Sequence, residues 1–394
     1  MKRNLVLLAL CQGLFLTNNI TFIAINGLVG FSMAPLSWLA TLPVMGYVVG
    51  SALATAPVAR VQKWLGRKPS FLIGIVVAIL SSLLCLYAAI TKNFYLLITA
   101  TFVAGFYQAN AQLYRFAAAE LAPPDYKEKA VSWVLAGGLI GAILGPNIAA
   151  VTKDWFETPF AGSYLALTVV GGLAALLMSV IRFPDQSTTT ESLKQTSRPL
   201  LEIVKQPVFI VSAMGAGLGY GVMNLLMAST PLAMQACGYP FQDAALVLQW
   251  HVIGMFAPGF FTGHLIKKFG APRVMTAGIV LNLLCIGVAL SGSDLHQFLI
   301  ALFVLGLGWN FLFTASTTLS MSAFRPEEKD KAQGAINFCV FFVMAMTSFG
   351  SGALVTTQGW AWLNLGSLVP MIIMASGLLW YSHQVKLSRT QHPS

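Results

Sequence analysis

Two pairs of residues with soft ligand atoms stand in neighbouring apolar runs. Met223 and Met227 are four residues apart in one run, and His251 and Met255 have the same spacing in the next. Four residues are just over one helical turn, so each pair faces one direction with its members about 6 Å apart. Three thioethers and an imidazole form a neutral, soft set that favours Cu(I) over zinc, magnesium or manganese. The spacing therefore predicts a soft-metal site, although methionine also fills helix interfaces.

The depth of the two pairs in a membrane supports this prediction. If the two runs form an antiparallel helical hairpin, we can count inward from their outer ends at about 1.5 Å per residue. Met227 then lies about 12 Å deep and His251 about 15 Å deep. Met223 follows at about 18 Å and Met255 at about 21 Å, so the four side chains lie at matched depths if both faces turn toward each other.

Two further sulfur residues lie nearer the outer surface. Met234 is seven residues past Met227 and on the same helical face, and Cys237 follows at the predicted outer turn. They could pass an ion inward, although packing is the simpler explanation for each alone. The 5 cysteines are scattered and form no C-x-x-C, so a disulfide framework is not expected.

The elements that must position these residues are membrane helices. The chain has 394 residues, of which 57% are hydrophobic and 9% charged, with a mean hydropathy of +0.74. A soluble protein of this size could not cover its surface with so little charge. Runs of about 20 apolar residues predict an all-α membrane protein with twelve transmembrane helices. The spans lie near residues 4–28, 35–59, 70–90, 94–122, 128–152, 162–182, 206–235, 241–266, 272–291, 295–324, 331–355 and 360–384.

Lysine and arginine residues set the orientation. Nearly all of them fall in alternate loops, while only Lys92 and Lys153 lie on the other side and Arg115 lies within a span. This distribution predicts that both termini are cytoplasmic in a multi-pass protein of the bacterial inner membrane. We expect the first run to be a retained helix, because no small-residue cleavage site follows it. The net charge of +10 then reflects topology and anionic lipid, and no nucleic-acid partner is expected.

An internal repeat divides the chain into halves. A polar cytoplasmic linker, 183–205, separates a six-helix bundle, 1–182, from a second bundle with a short cytoplasmic tail, 206–394. Basic loops containing Gly66 and Gly270 follow spans two and eight, and the segments PPDYKEKA and RPEEKDKA follow spans four and ten. The matching segments are separated by nearly the same number of residues, which indicates an internal duplication.

Two six-span halves with a basic glycine loop after spans two and eight resemble the major facilitator superfamily over the whole chain. The resemblance implies two bundles that rock around a midplane site lined by spans 1, 4, 7 and 10. It also implies gating loops containing Gly66, Arg67, Gly270 and Arg273. The family's loop motif usually carries an aspartate just before its Arg-x-Gly-Arg segment, and the loop that contains Gly66 and Arg67 lacks this aspartate. Gly141, Gly145 and Pro146 in span five look like the family's antiporter motif, but a close helix crossing explains them equally well.

Polar residues within the spans predict a passage, because such residues are costly in a membrane. Arg115 is a functional-site candidate because a charge at membrane depth is costly, but a contact with Glu120 near the inner surface that steadies the gate is the favoured explanation. No paired carboxylates, nucleophile–base pair or phosphate loop is present, so we expect neither an enzyme nor a permanent cofactor. The candidate cavity residues are Asn18, Asn19, Gln108, Gln112, Arg115, Asn224 and Asn310.

The Met-x-x-x-Met and His-x-x-x-Met pairs are similar to the signature of the CcoA-like copper importers, a branch of this superfamily that also includes riboflavin transporters. The resemblance implies that the four residues bind copper, which moves inward and supplies cytochrome c oxidase assembly. The leading hypothesis is thus a monomeric copper importer working by alternating access, with free or chelated copper as its cargo and lipid as its surroundings. One alternative is an importer of an organic solute such as riboflavin, with Trp309, Trp250, Tyr107 and Tyr220 stacking on its ring. Another is a proton-coupled drug exporter.

Overall fold

The computed structural model describes residues 2–123, 126–183 and 198–391. Within these ranges the secondary structure is helical and contains no strand, which confirms the all-α class. Residues 184–197, which form most of the predicted linker, lie outside the described ranges.

The first half begins with a long helix that is apolar enough to cross a membrane. The sequence predicts one helix over the fourth span, 94–122, but the structure breaks it at Gln112–Leu113 into two. Polar residues before the break lower the apolar character of this span. The helices are α1 (Lys2–Met33), α2 (Leu42–Leu65), α3 (Arg67–Ile90), α4 (Phe94–Ala111), α5 (Tyr114–Glu120), α6 (Lys127–Ala136), α7 (Gly138–Thr152) and α8 (Ala161–Val180).

The second half has a comparable order and follows a short helix. The predicted eighth span, 241–266, is two helices bent by 42°. Pro258 lies at the break and explains it, because proline disfavours helix at the residue before it and lacks an N–H. The helices are α9 (Leu200–Val204), α10 (Pro207–Ala236), α11 (Phe241–Phe256), α12 (Gly259–Phe269), α13 (Ala271–Leu290), α14 (Leu295–Ser320), α15 (Lys329–Thr357) and α16 (Gly359–Gln391).

Among the described residues, 10 helices are long and apolar enough to cross a membrane, or up to 11 with the bent pair α11–α12 as one span. The segment that would complete the predicted twelve is α4–α5. Its polar side chains and its break keep it outside this set, so the number twelve stays a prediction. The multi-pass character itself is confirmed by the helices counted.

The glycine–proline motif of span five packs α7 closely against α1. A Cβ on Gly141 would lie 2.6 Å from Cβ of Leu16 and 2.7 Å from the backbone N of Thr17. The hydroxyl of Thr21 donates to the carbonyl oxygen of Gly145 at 2.9 Å. These contacts agree with the packing explanation, in which glycine lets two backbones approach.

The two halves meet at the end of the bundle that we call the outer end, opposite the lysine- and arginine-rich loops of the inner end. The backbone N–H of Gly352 in α15 donates to the hydroxyl of Thr41 beside α2 at 3.0 Å. Phe160 stands edge-on to Phe241 with ring centroids 4.9 Å apart. These contacts close the space between the halves on the outer side.

An ion pair with a buried carboxylate fixes the loop between α14 and α15. The carboxylate of Glu328 is fully buried and accepts hydrogen bonds from the guanidinium of Arg198 and from the backbone N–H of Arg325. These donors hold the pKa of Glu328 far below its usual value of 4.5. The pair joins the chain just before α9 to the second half.

This pair predicts a loss of stability in acid. Because the pKa of Glu328 is lowered on folding, its contribution is full above 4.5 and falls as the pH drops below that value. We expect the melting temperature of the purified protein to fall between about pH 5 and pH 3, and Glu328→Gln to show a smaller fall over this range. The matched control is Glu327→Gln, since Glu327 is its exposed neighbour. Equal acid sensitivity of Glu328→Gln and the native protein would contradict this role.

Candidate functional site

Three aromatic side chains of the second half form one surface, which we call the aromatic wall: Tyr220, Trp309 and Phe313. Trp309 and Phe313 are one helical turn apart on α14, and their rings stack at 5.2 Å with an interplanar angle of 8°. Tyr220 of α10 stands perpendicular to Trp309 at 5.3 Å. Phe256 of α11 supports Trp309 from another side, with centroids 6.4 Å apart. Helices α10, α11 and α14 thus position one preformed aromatic surface.

The aromatic wall faces the space between the halves. Tyr220 lies within electrostatic range of Arg115 in α5 and of Tyr47 in α2, both of which belong to the first half. Asn19 of α1 donates to the Tyr47 hydroxyl at 3.0 Å. Gln112 and Arg115 are exposed, whereas the outer end is closed. The arrangement is an inward-facing one, with polar groups of the first half opposite an aromatic surface of the second.

Two buried polar atoms at the predicted passage have no hydrogen-bond partner among the described residues. They are Nε1 of Trp309, whose side chain is 7% exposed, and Oε1 of Gln108, also in a residue 7% exposed. Buried polar atoms are normally paired. A donor on the aromatic wall and an acceptor on α4 are therefore available to a polar ligand.

Two predicted cavity residues use their side chains within the second half. Asn224 donates to the Met344 carbonyl and the Ser348 hydroxyl, which ties α10 to α15. Asn310 donates to the Met255 carbonyl at 2.7 Å and so satisfies a carbonyl beside the break between α11 and α12. Among the first-half candidates, Asn18 is buried like Asn19.

The aromatic residues named from the sequence separate into two sets. Trp309 and Tyr220 come together in the aromatic wall, whereas Trp250 is 45% exposed and packs against Phe303. Tyr107 is buried edge-on against Phe15, 5.5 Å away. The sequence reasoning missed Phe313 and Phe256, although the four-residue spacing from Trp309 could have indicated Phe313.

The four predicted metal ligands all lie inside the protein. Their exposed fractions are 2% for Met223, 4% for Met227, 0% for His251 and 6% for Met255, so none of them faces lipid. Within the described ranges, no three His, Cys, Asp or Glu side chains form a metal cluster, so a site here would depend on thioether sulfur. Convergence of the four on one ion stays a prediction.

The tautomer of His251 follows from the hydrogen bond of its Nδ1 atom. Nδ1 lies 2.7 Å from the carbonyl oxygen of Leu302 in α14. A carbonyl only accepts, so Nδ1 carries the proton and Nε2 keeps its lone pair. Nε2 is buried and has no partner among the described residues. An unprotonated imidazole nitrogen is the form that binds a metal.

The predicted outer relay residues are placed differently from each other. Met234 is fully buried, and Cys237 is exposed. A cavity of about 130 Å³ between the halves at the outer end is lined by residues of both, among them Lys153, Phe160 and Gln235. Met234 and Cys237 are not part of its lining. The relay stays a prediction.

The loops at the inner end share a backbone turn but differ in their ionic contacts. Gly66 and Gly270 separate consecutive helices with φ of 82° and 84°, a conformation that favours glycine. Arg67 forms an ion pair with Glu120 at the end of α5, with Nε to Oε2 at 3.0 Å. The carboxylate that the sequence offers as an alternative partner for Arg115 is thus bound by Arg67. In the second half, Arg273 donates to the carbonyl oxygen of Phe269 in the preceding helix.

Comparison with known proteins relates this arrangement to a large transporter family. The Major Facilitator Superfamily model matches residues 5–257 and 213–394. The chain is 37% identical over 364 residues to "Riboflavin transporter RfnT" of Brucella anthropi, and the match covers 92% of each chain. It is 23% identical over 380 residues to "Uncharacterized MFS-type transporter YddS" of Bacillus subtilis, covering 92% of this chain and 87% of the relative.

Solved structures share the fold at low identity. A bacterial homolog of the human lysosomal transporter Spinster, in an inward-facing and unoccupied conformation, superposes with a TM-score of 0.75 at 13% identity, covering 96% of each chain. The nucleoside transporter NupG gives a TM-score of 0.71 at 14% identity, covering 98% of this chain and 100% of the other. The chain is therefore a multi-pass transport protein of the bacterial inner membrane.

Proposed function

The chain belongs to the major facilitator superfamily, and we propose that it imports riboflavin or a closely related flavin across the inner membrane by alternating access. The observation that carries the proposal is the aromatic wall opposite Arg115. A planar isoalloxazine ring needs aromatic faces for stacking and a few polar groups for orientation. The riboflavin transporter to which the chain is similar supports the same solute class.

Transport would follow from exchange between two arrangements of the halves. In the inward-facing state, the outer contacts such as Phe160 on Phe241 are formed, and the aromatic wall is reached from the inner end. Binding from outside requires these contacts to separate while the inner loops close. A solute that binds between the halves moves with this exchange, because each state opens the same site to one side.

The proposal predicts flavin uptake by cells that cannot synthesise riboflavin. We expect expression of the protein to restore growth at low external riboflavin and to raise the initial rate of radiolabelled riboflavin uptake over cells with an empty vector. Immunodetection in the membrane fraction establishes that the protein is present. Membrane-localised protein with uptake no higher than the empty vector would overturn the proposal.

Copper import is a second candidate, favoured by the free lone pair of His251 on a helix that also carries Met255. With Met223 and Met227, these residues would supply the neutral, soft ligands that suit Cu(I). Copper entering by this route would serve cytochrome c oxidase assembly, as the resemblance implies.

The copper candidate makes its own prediction. We expect His251→Gln and Met227→Leu to abolish the copper accumulation that the native protein supports, because both remove a ligand and Met→Leu costs less than about 1.5 kcal/mol in packing. Met178→Leu, at a fully buried methionine of α8, is the matched control. Native protein that leaves cellular copper at the empty-vector level would exclude this candidate.

A further inference from the structure

Arg115 is a charged residue of the predicted fourth span, with no carboxylate bonded to it among the described residues. Its guanidinium lies over the Phe116 ring, 4.9 Å from the centroid, and its side chain is exposed. Glu120, five residues along the chain, is bound by Arg67. A charge held in a membrane protein is costly and generally serves a site. The free face of this guanidinium is available to a ligand between the halves.

The position of Arg115 relative to the aromatic wall limits what that ligand can be. Tyr220 belongs to the wall and also lies within electrostatic range of Arg115. A ring stacked on the wall would therefore present one edge toward the guanidinium. Arginine only donates hydrogen bonds, and a hydrogen bond to a charged group contributes about 1.5–3 kcal/mol. The edge facing Arg115 must then carry acceptors.

An isoalloxazine has two chemically different edges. Its pyrimidinedione edge carries two carbonyl oxygens and ring nitrogens, whereas its dimethylbenzene edge carries no acceptor. A positive charge near the pyrimidine portion is a common way for proteins to bind and tune a flavin. We infer that Arg115 is a specificity-determining residue that binds the carbonyl acceptors of the pyrimidinedione edge while the ring lies on the aromatic wall. This inference rests on the proposed function.

This role predicts that the protein binds a flavin with a carbonyl oxygen at this edge more tightly than a flavin with sulfur in its place. Replacing the C2 oxygen of riboflavin with sulfur keeps the ring, its planarity and the ribityl chain but weakens the acceptor. We expect native protein to bind 2-thioriboflavin about tenfold more weakly than riboflavin, measured as competition for radiolabelled riboflavin uptake, since tenfold corresponds to about 1.4 kcal/mol. Lumiflavin, which lacks the ribityl chain but keeps the edge, should compete within a few-fold of riboflavin.

Substitution of Arg115 tests whether the preference for riboflavin over 2-thioriboflavin depends on the guanidinium group. We expect Arg115→Met to raise the KM for riboflavin about tenfold and to bring the competition by riboflavin and 2-thioriboflavin to parity. Arg115→Lys keeps a donor and should retain part of the preference. Arg60→Met removes an exposed cation of a different helix, α2, and should change neither the KM for riboflavin nor the preference over 2-thioriboflavin. The two protein variants and the two flavins form a double-mutant cycle, which measures the coupling between the Arg115 side chain and the C2 oxygen. A general folding defect would lower the binding of both flavins equally and so would not produce this coupling.

The outcomes separate this inference from the proposed function. Native protein that takes up riboflavin but accepts 2-thioriboflavin equally well overturns the role of Arg115 and leaves flavin import standing. The same holds if Arg115→Met keeps the native preference. If Arg115→Met does not reach the membrane, native selectivity and Arg115→Lys decide the question. Native protein without riboflavin uptake overturns the proposed function and this inference with it.

Discussion

Replacing Gly50 with alanine is expected to prevent α2 and α4 from packing and to remove most folded protein from the membrane. A Cβ on Gly50 would lie 1.9 Å from the carbonyl oxygen of Phe102, 2.8 Å from its carbonyl carbon and 3.0 Å from its Cα. Gly105 makes the reciprocal approach, where a Cβ would be 2.3 Å from the backbone N of Ser51. The blocking atoms are backbone, so no rotamer change relieves the overlap. The helices must separate, at a cost of about 3 kcal/mol or more.

Gly172→Ala supplies the matched control, because Gly172 lies inside α8 and a Cβ added there would meet no other atom within 4 Å. Alanine there should be neutral or stabilising by up to about 1 kcal/mol, owing to its better helix propensity. The measurement is the yield of monodisperse protein in detergent and its melting temperature. Native yield and stability for Gly50→Ala would show that the crossing of α2 and α4 is looser than described.

Replacing Trp309 with leucine is expected to reduce flavin uptake about tenfold at low substrate concentration. Trp309 stacks on Phe313 and meets Tyr220 edge-on, so its loss dismantles the aromatic wall. It also removes the Nε1 donor, which has no partner in the part of the chain that the structure describes. Stacking of a planar heterocycle on an aromatic side chain contributes about 1–3 kcal/mol, which corresponds to about 5- to 150-fold in affinity. The measurement is the KM for riboflavin in the uptake assay.

Trp250→Leu is the control for this prediction, since Trp250 is 45% exposed and packs on Phe303 away from the aromatic wall. It should leave the KM unchanged. Trp309→Phe keeps a ring without the N–H and should fall between the native protein and Trp309→Leu. If Trp309→Leu and Trp250→Leu have the same KM as the native protein, the aromatic wall is not the flavin site.

The composition of the chain was sufficient to predict a helical multi-pass protein, because long uncharged runs of about 20 residues are typical of membrane-spanning helices. The helix breaks within the spans were harder to predict from the sequence. Pro258 indicates the break after α11, but the break at Gln112–Leu113 contains neither proline nor glycine. Its position depends on how polar side chains of that span are accommodated by neighbours, which the local sequence does not encode.

The candidate site was predictable where one helix carried the pattern and unpredictable where two helices met. The spacing of Met223 and Met227 was visible in the sequence, and both residues are buried. The pairing of Arg67 with Glu120 joins residues 53 positions apart and leaves Arg115 available to a ligand. Similarly, Asn310 satisfies a carbonyl at a helix break, a use that no pattern in its own helix indicates.

Direct binding of riboflavin to the purified protein tests the central claim most closely. Flavin fluorescence is quenched when the ring stacks on tryptophan or tyrosine, so titration with native protein should give saturable quenching. Quenching should be lost in Trp309→Leu and kept in Trp250→Leu. Flavin fluorescence that stays unchanged at saturating concentrations of folded native protein would contradict flavin recognition by the aromatic wall.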